Sequence, residues 1–170
     1  MLTKKDILEL ISGKGVHFQI HNHKALFTVE DSENFRGEIG GSHTKNLFLK
    51  NKKNNFFLFT VSENTKVDLK KFSKSIEAKN LSFANENYLD KYLGIKPGSV
   101  SPYALLNDTD NIVNFYLDEV LYESETVNFH PLVNTMTISV KTNDFINFMI
   151  ENKKKINIFS LKSYSVVKTL

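Results

Sequence analysis

Apolar and polar positions along this chain follow two periods, and the changes between them mark out its elements. Ile7, Leu8 and Ile11 recur at helical spacing behind Thr3 and Asp6, a capping-box pair, and Gly13 stands at the stop with Gly15 just beyond. Residues 3–13 are therefore predicted to form an amphipathic helix. Residues 17–20 predict a short strand, and residues 28–35 a second short helix with Thr28 and Asp31 in the same capping relation. The clearest local pattern comes next. Leu47, Phe48 and Leu49 form one apolar run, residues 51–55 are all Asn or Lys, and Phe56, Phe57, Leu58, Phe59 and Val61 form a second run. Two apolar, aromatic runs joined by a short polar turn predict a β-hairpin with largely buried strands, at the centre of a sheet.

Helical spacing returns over residues 68–78 and 82–92, the latter predicted to start at a Ser82 cap with Asn85 and Glu86 in its first turn and to stop at Gly94. Residues 112–117, 127–129 and 135–140 predict strands. A helix carrying Phe145, Ile146 and Met149 is expected behind a cap at Thr142 or Asn143, and residues 156–159 predict a late strand. Strands and helices are mixed rather than strictly alternating, and neither a repeat nor a linker interrupts them. The expected fold is one α+β domain over residues 1–170, with a mostly antiparallel sheet flanked by helices.

Composition narrows the chemistry. With 41% hydrophobic residues, 14 of them Phe, the chain has enough apolar material to offset its conformational entropy in one core. It contains no cysteine, which removes disulfides, thiolate metal sites and cysteine nucleophiles. No apolar run approaches the ~20 residues needed to span a bilayer, and the first residues have no leader pattern, so a soluble, cytoplasmic protein without membrane contact is expected. The net charge of +3 hides an asymmetry: residues 45–79 carry a balance of +6, all of it from lysine, and residues 80–130 a balance of −6. The lysine-rich stretch is either an ordinary solvated face or a phosphate-facing patch, with Lys50, Lys52, Lys53 and Lys79 as its candidate contacts.

Three constellations could carry chemistry. Gly40 and Gly41 lead through Ser42, His43 and Thr44 to Lys45 and Asn46 at the mouth of the first hairpin strand, offering a cation and an amide to a phosphate or an ester carbonyl; the alternative is a surface turn. Gly98, Ser99, Val100, Ser101 and Pro102 have a Gly-x-x-x-Pro spacing that presents backbone groups in a fixed bend, whether as a binding loop or as a plain connection. His130, between Phe129 and Pro131 at a strand end, is either a proton carrier or a structural histidine bonded to backbone. His17, His21 and His23 lie close together, but no nearby carboxylate completes a site, so no metal is expected. The chain lacks the Gly-x-Ser-x-Gly elbow, the His-Glu-x-x-His pair, and the glycine-rich phosphate and dinucleotide loops.

Several ordered blocks resemble the prolyl-tRNA editing domains of the YbaK/ProX superfamily. They are His21-Asn22-His23 with Phe27-Thr28-Val29-Glu30, then His43-Thr44-Lys45-Asn46-Leu47-Phe48-Leu49, then Leu93-Gly94-Ile95-Lys96-Pro97-Gly98-Ser99-Val100-Ser101-Pro102, then Asn107-Asp108, and finally Phe129-His130-Pro131-Leu132-Val133-Asn134-Thr135. The resemblance spans residues 21–149. It implies a YbaK-like fold and hydrolysis of an aminoacyl-tRNA ester without cofactor, metal or covalent intermediate. In freestanding members the usual substrate is alanine wrongly attached to proline tRNA. The alternatives are removal of cysteine or another small amino acid, and a noncatalytic module that binds tRNA or an amino acid. By residue, the resemblance assigns catalysis to Lys45, Asn46 and His130, substrate binding to Gly98, Ser99, Val100, Ser101, Pro102, Thr44 and Asn134, and contact with the proline tRNA acceptor end to the lysines already named. Prolyl-tRNA synthetase or an elongation factor is an expected partner. Two positions depart from the family pattern: Asn80, where relatives carry Arg, and Met136, where they carry a small residue.

Overall fold

The structure, a computed structural model, describes residues 1–26 and 39–170; the helix expected over residues 28–35 lies outside the described residues. In chain order the elements are α1 (Lys4–Gly13), β1 (Phe18–Asn22), β2 (Ser42–Lys50), β3 (Phe56–Ser62), α2 (Leu69–Ser75), β4 (Ser82–Phe83) and α3 (Glu86–Tyr88), which widens into a π-helical turn at Leu89–Leu93. A 3-10 turn at Pro102–Asn107 then leads to β5 (Val113–Asp118), α4 (Glu119–Tyr122), β6 (Thr126–Phe129), β7 (Met136–Lys141), α5 (Thr142–Glu151), β8 (Ile156–Ser160) and β9 (Ser165–Thr169).

The strands join in the order β1-β7-β6-β2-β3-β5-β8-β9, with β4 beside β2. The hairpin β2–β3 sits at the centre, as its unbroken apolar runs predict. Five pairings are antiparallel, and three, β2 with β6, β3 with β5 and β5 with β8, are parallel. Because β3 is covered on both faces, its apolar residues divide by parity. Phe56 and Leu58 enter a large core with Ile7 and Ile11 of α1 and Phe145, Phe148 and Met149 of α5. Phe57, Phe59 and Val61 enter a smaller core on the reverse face, with Phe72 of α2, Tyr116 and Phe159. The Phe59 ring stacks on Phe72 at 4.5 Å and meets Phe159 edge-on at 5.4 Å.

Two helix starts differ from the sequence expectation. Ser82 does not cap a helix: Ser82 and Phe83 pair with Lys50 and Leu49 on the edge of β2 left open where β6 diverges, and the helix begins at Asn85, whose side chain accepts from the Tyr88 amide. α5 begins after Lys141, which gives no side-chain cap. Thr142 is committed elsewhere, its amide to the Glu125 carbonyl and its hydroxyl toward Ser124. The capping box of α1, by contrast, forms as its spacing predicts, with Thr3 and Asp6 exchanging hydrogen bonds. β9 and the short β4 carry too little periodicity to be read from sequence, since every residue of both is exposed.

Candidate functional site

Strand parity decides where the Lys45 and Asn46 side chains go. In the β2–β3 register Lys45 stands opposite Val61, and Asn46 opposite Thr60. Paired residues share a face, so Lys45 lies on the side of Val61 and the smaller core, while Asn46 lies on the side of Phe48 and Leu58. Lys45 is half-buried, and among the described residues no hydrogen bond or ion pair engages its ammonium. Asn46 is committed at both ends of its amide. Nδ2 donates to the Val100 carbonyl at 2.8 Å, and Oδ1 accepts from the Thr60 hydroxyl at 2.6 Å. Thr60 is fully buried, so this bond has no water to replace it. Asn46 thus ties the central hairpin to the loop at residues 98–102.

That loop is built by a tight turn. The Ser99 amide donates to the Lys96 carbonyl at 3.1 Å, with Pro97 and Gly98 at the two central positions. Gly98 has a φ of +86°, the conformation a type II turn requires at its third residue and one that side chains resist. Ser99, Ser101 and Pro102 are buried, and the Ser101 hydroxyl accepts from the Tyr103 amide to start the 3-10 turn. The loop therefore presents main chain rather than side chains. The amides of Gly98 and Val100 take part in no hydrogen bond among the described residues, which leaves donors for a carbonyl oxygen or an oxyanion.

On the reverse of the large core, β1, β6 and β7 carry a polar row. The Ser139 hydroxyl donates to Asn128 Oδ1, so its oxygen is left to accept from His21 Nε2, 3.0 Å away. His23 Nδ1 donates to the Lys24 carbonyl at 2.8 Å, and Thr137 lies 2.9 Å from its Nε2. His130 follows the same logic: Nδ1 donates to the Met136 carbonyl at 2.8 Å, which fixes the neutral tautomer and leaves the Nε2 lone pair available. Burial lowers the pKa of His130 below its ordinary 6.5. The Met136 bond opposes that shift, the nearby His23 adds to it and the Glu63 carboxylate opposes it. The His23 and His130 rings lie 5.9 Å apart.

The remaining sequence candidates separate. The Thr44 hydroxyl donates to the Asn128 carbonyl at 2.8 Å and staples β2 to β6. Asn134 donates to the Leu26 carbonyl and ties the segment before β7 to the segment that follows β1. Lys50 reaches Asn54 and lies over the Tyr88 ring, while Lys52, Lys53 and Lys79 are exposed. Among the described residues no group of three His, Asp or Glu is placed to hold a metal ion, and no helix is long and apolar enough to cross a membrane. Sequence reading weighed His23 only as a metal candidate and missed Glu63 and Thr60. The alternation of His21 and His23 signalled a shared strand face, but their partners are more than 110 residues distant.

Known proteins resemble this chain over most of its length. Residues 23–148 match the family described as the aminoacyl-tRNA editing domain. The chain is 32% identical over 152 residues to the zebrafish (Danio rerio) prolyl-tRNA synthetase associated domain-containing protein 1, covering 88% of this chain and 83% of that protein. It is 30% identical over 145 residues to the prolyl-tRNA editing protein ProX of Acetoanaerobium sticklandii, covering 85% and 88% respectively. A solved structure described as a candidate trans-editing enzyme for prolyl tRNA synthetase superposes with a TM-score of 0.67 over 93% of this chain and 97% of that one, at 17% identity. Another, hypothetical protein APE2540, gives 0.68 over 86% and 93% at 15% identity. Both share its fold.

Proposed function

The chain belongs to the aminoacyl-tRNA editing domain family, and we propose that it hydrolyses the ester of a mischarged tRNA, alanine on proline tRNA first among the candidates. The observation that carries this reading is the tether from Asn46 to Val100. It fixes a loop with open backbone amides next to the strand that bears the unengaged Lys45 ammonium. An aminoacyl ester is already activated. The site has only to place a water, hold the carbonyl and stabilise the oxyanion that forms when the water's oxygen bonds to the carbonyl carbon. The backbone amides of Gly98 and Val100 are assigned to the carbonyl oxygen, and Lys45 to the terminal nucleotide or the polar end of the aminoacyl group. His130 Nε2 is assigned to accept a proton from the attacking water and to return it to the ribose oxygen as the ester C–O bond breaks, which releases the free amino acid and the ribose hydroxyl. Asn46 is assigned to position the loop, since both of its amide ends are already taken.

Alanine is selected by size. A synthetase pocket for proline rejects a smaller residue weakly, by about 1–3 kcal/mol per missing methylene, so a second site that admits only the smaller residue adds the discrimination that binding lacks. The test is deacylation of alanyl-tRNA(Pro), cysteinyl-tRNA(Pro) and prolyl-tRNA(Pro) by the wild-type protein and by Lys45→Ala. Loss of alanine alone, abolished by the substitution, is expected. Release of cysteine in its place would change the substrate, and tRNA binding without hydrolysis of any ester would refute the enzyme reading.

A further inference from the structure

Among the described residues Phe83 is the only aromatic in the set of exposed large apolar side chains, at 62% exposure. Its neighbours behave differently: Leu81 packs against the smaller core and Ala84 against the larger, while Phe83 joins neither. The position is nevertheless rigid. Phe83 pairs with Leu49 in the β2–β4 ladder, and the Ala84 amide donates to the Phe48 carbonyl at 3.0 Å. A Phe presented to solvent on a fixed backbone has a flat apolar face and no internal partner.

Its surroundings identify a partner. Ser82 pairs with Lys50, the last residue of β2, and Lys52 and Lys53 follow in the hairpin turn, both exposed. Lys79 stands three residues before Ser82, also exposed. Lys50 and Lys91 lie over the rings of Tyr88 and Tyr92, at 5.3 and 5.0 Å, and those two rings are nearly parallel, 9° apart in plane. The acidic Glu86 and Asp90 are on the helical turns that follow β4, so a polyanion resting on Phe83 is drawn toward the hairpin turn and not along α3. Along β2, Lys45 and Leu49 lie on one face, four residues and about 13 Å apart at the rise of a strand. The platform is thus on the face of Lys45, the cation assigned above to the terminal nucleotide.

We infer that Phe83 is a stacking platform for an unpaired base of the RNA's single-stranded 3′ end, with Lys52 and Lys53 of the hairpin turn meeting the adjoining phosphates. Single-stranded ends are recognised in this way, by aromatic faces that take any base, with cations tracking the backbone. This inference rests on the proposal that the chain acts on tRNA, but its test does not depend on hydrolysis. The probe is an uncharged RNA hairpin with a short 3′ tail carrying an aminopurine fluorophore, alongside the same hairpin with a blunt end. Wild-type protein is expected to quench the tail fluorophore. Phe83→Ala is expected to weaken binding of the tailed hairpin by about 5- to 150-fold, the worth of one stacked base. Phe83→Trp should restore it, and the blunt hairpin should not distinguish the three proteins. Thermal unfolding of Phe83→Ala checks that the fold is kept. Equal binding of the tailed hairpin by wild type and Phe83→Ala would overturn the inference. So would an equal loss on both hairpins, which would make the patch a reader of duplex, or tight binding of another protein that Phe83→Ala abolishes while RNA binding is kept. If the tail binds through Phe83 and no ester is hydrolysed, the editing reaction fails and the platform stands.

Discussion

Replacing Asn46 by alanine separates the two claims made for that residue, that it holds the loop and that the loop serves the reaction. The substitution deletes the acceptor of the Thr60 hydroxyl at 2.6 Å and the donor to the Val100 carbonyl at 2.8 Å. Thr60 has no exposure, so its hydroxyl stays dry and unpaired; Val100 is half-buried and can recover a water. An orphaned buried group costs about 1–3 kcal/mol and a replaceable bond about 0.5–1.5 kcal/mol. Together the loss is about 1.5–4.5 kcal/mol, or roughly 3–18 °C in Tm for a domain of this size. Thr60→Val alone leaves the Asn46 oxygen without its donor but keeps the Val100 bond, so it tests the buried half. In the double substitution no unpaired hydroxyl remains, and the combined cost should fall short of the sum by about 1 kcal/mol or more. Urea unfolding gives the stabilities, and deacylation of alanyl-tRNA gives kcat/KM. The loop assignment expects Asn46→Ala to lose about 10- to 100-fold in kcat/KM, and Thr60→Val, which keeps the tether, to lose much less. A Tm within about 1 °C of wild type would show that the tether carries no energy. A normal kcat/KM in a destabilised Asn46→Ala protein would show that the loop does not position the substrate.

Three other outcomes follow from the same structure. Burial keeps His130 neutral at pH values where an unfolded histidine has already taken a proton. The unfolded state therefore binds more protons as pH falls through 6.5, and stability declines from there downward; the acid limb of the pH–rate profile should likewise lie below 6.5 and vanish in His130→Gln. Lys52→Ala and Lys53→Ala should each reduce the slope of log affinity for tRNA against log salt by about 0.7–0.9, and salt-independent activity would remove these lysines from the interface. Phe59→Ala, at the middle of the smaller aromatic core, should cost about 3–5 kcal/mol in chemical unfolding, and a loss below 1 kcal/mol would mean that Phe72 and Phe159 close over the gap.

Much of the fold is written in local signals. The Thr3–Asp6 capping box and the apolar runs on either side of residues 51–55 each act within a few residues, so sequence alone exposes them. What escaped it is settled at a distance. Ser82 has the chemistry of a cap, yet the unpaired edge of β2 takes its backbone first. Thr142 likewise has a better use in the turn before β6. Of the candidate site, the residue types were legible and their roles were not. Lys45 and Asn46 are adjacent in the chain and on opposite faces of the strand, and only the register with β3 shows that one amide is already spent. The two readings of His130 turn out to be compatible, because a backbone bond at Nδ1 leaves Nε2 unused.

The polar histidine row joins β1 and its sequel to β7, far apart in the chain. His21 meets Ser139 across 118 positions, and β1 lies at the sheet's edge only because β7 is there to receive it. During synthesis, therefore, the hairpin β2–β3 leaves the ribosome long before β6, β7 or the parallel neighbour β5 exists, with apolar flanks exposed on both faces. Contacts of such long range form late and slowly. A nascent chain stalled before β7 has Lys45 and the loop at residues 98–102 but neither Ser139 for His21 nor the Met136 carbonyl that orients His130. Such a fragment exposes apolar surface and lacks the bond that orients His130, so its central strands need shielding until the last third of the chain arrives.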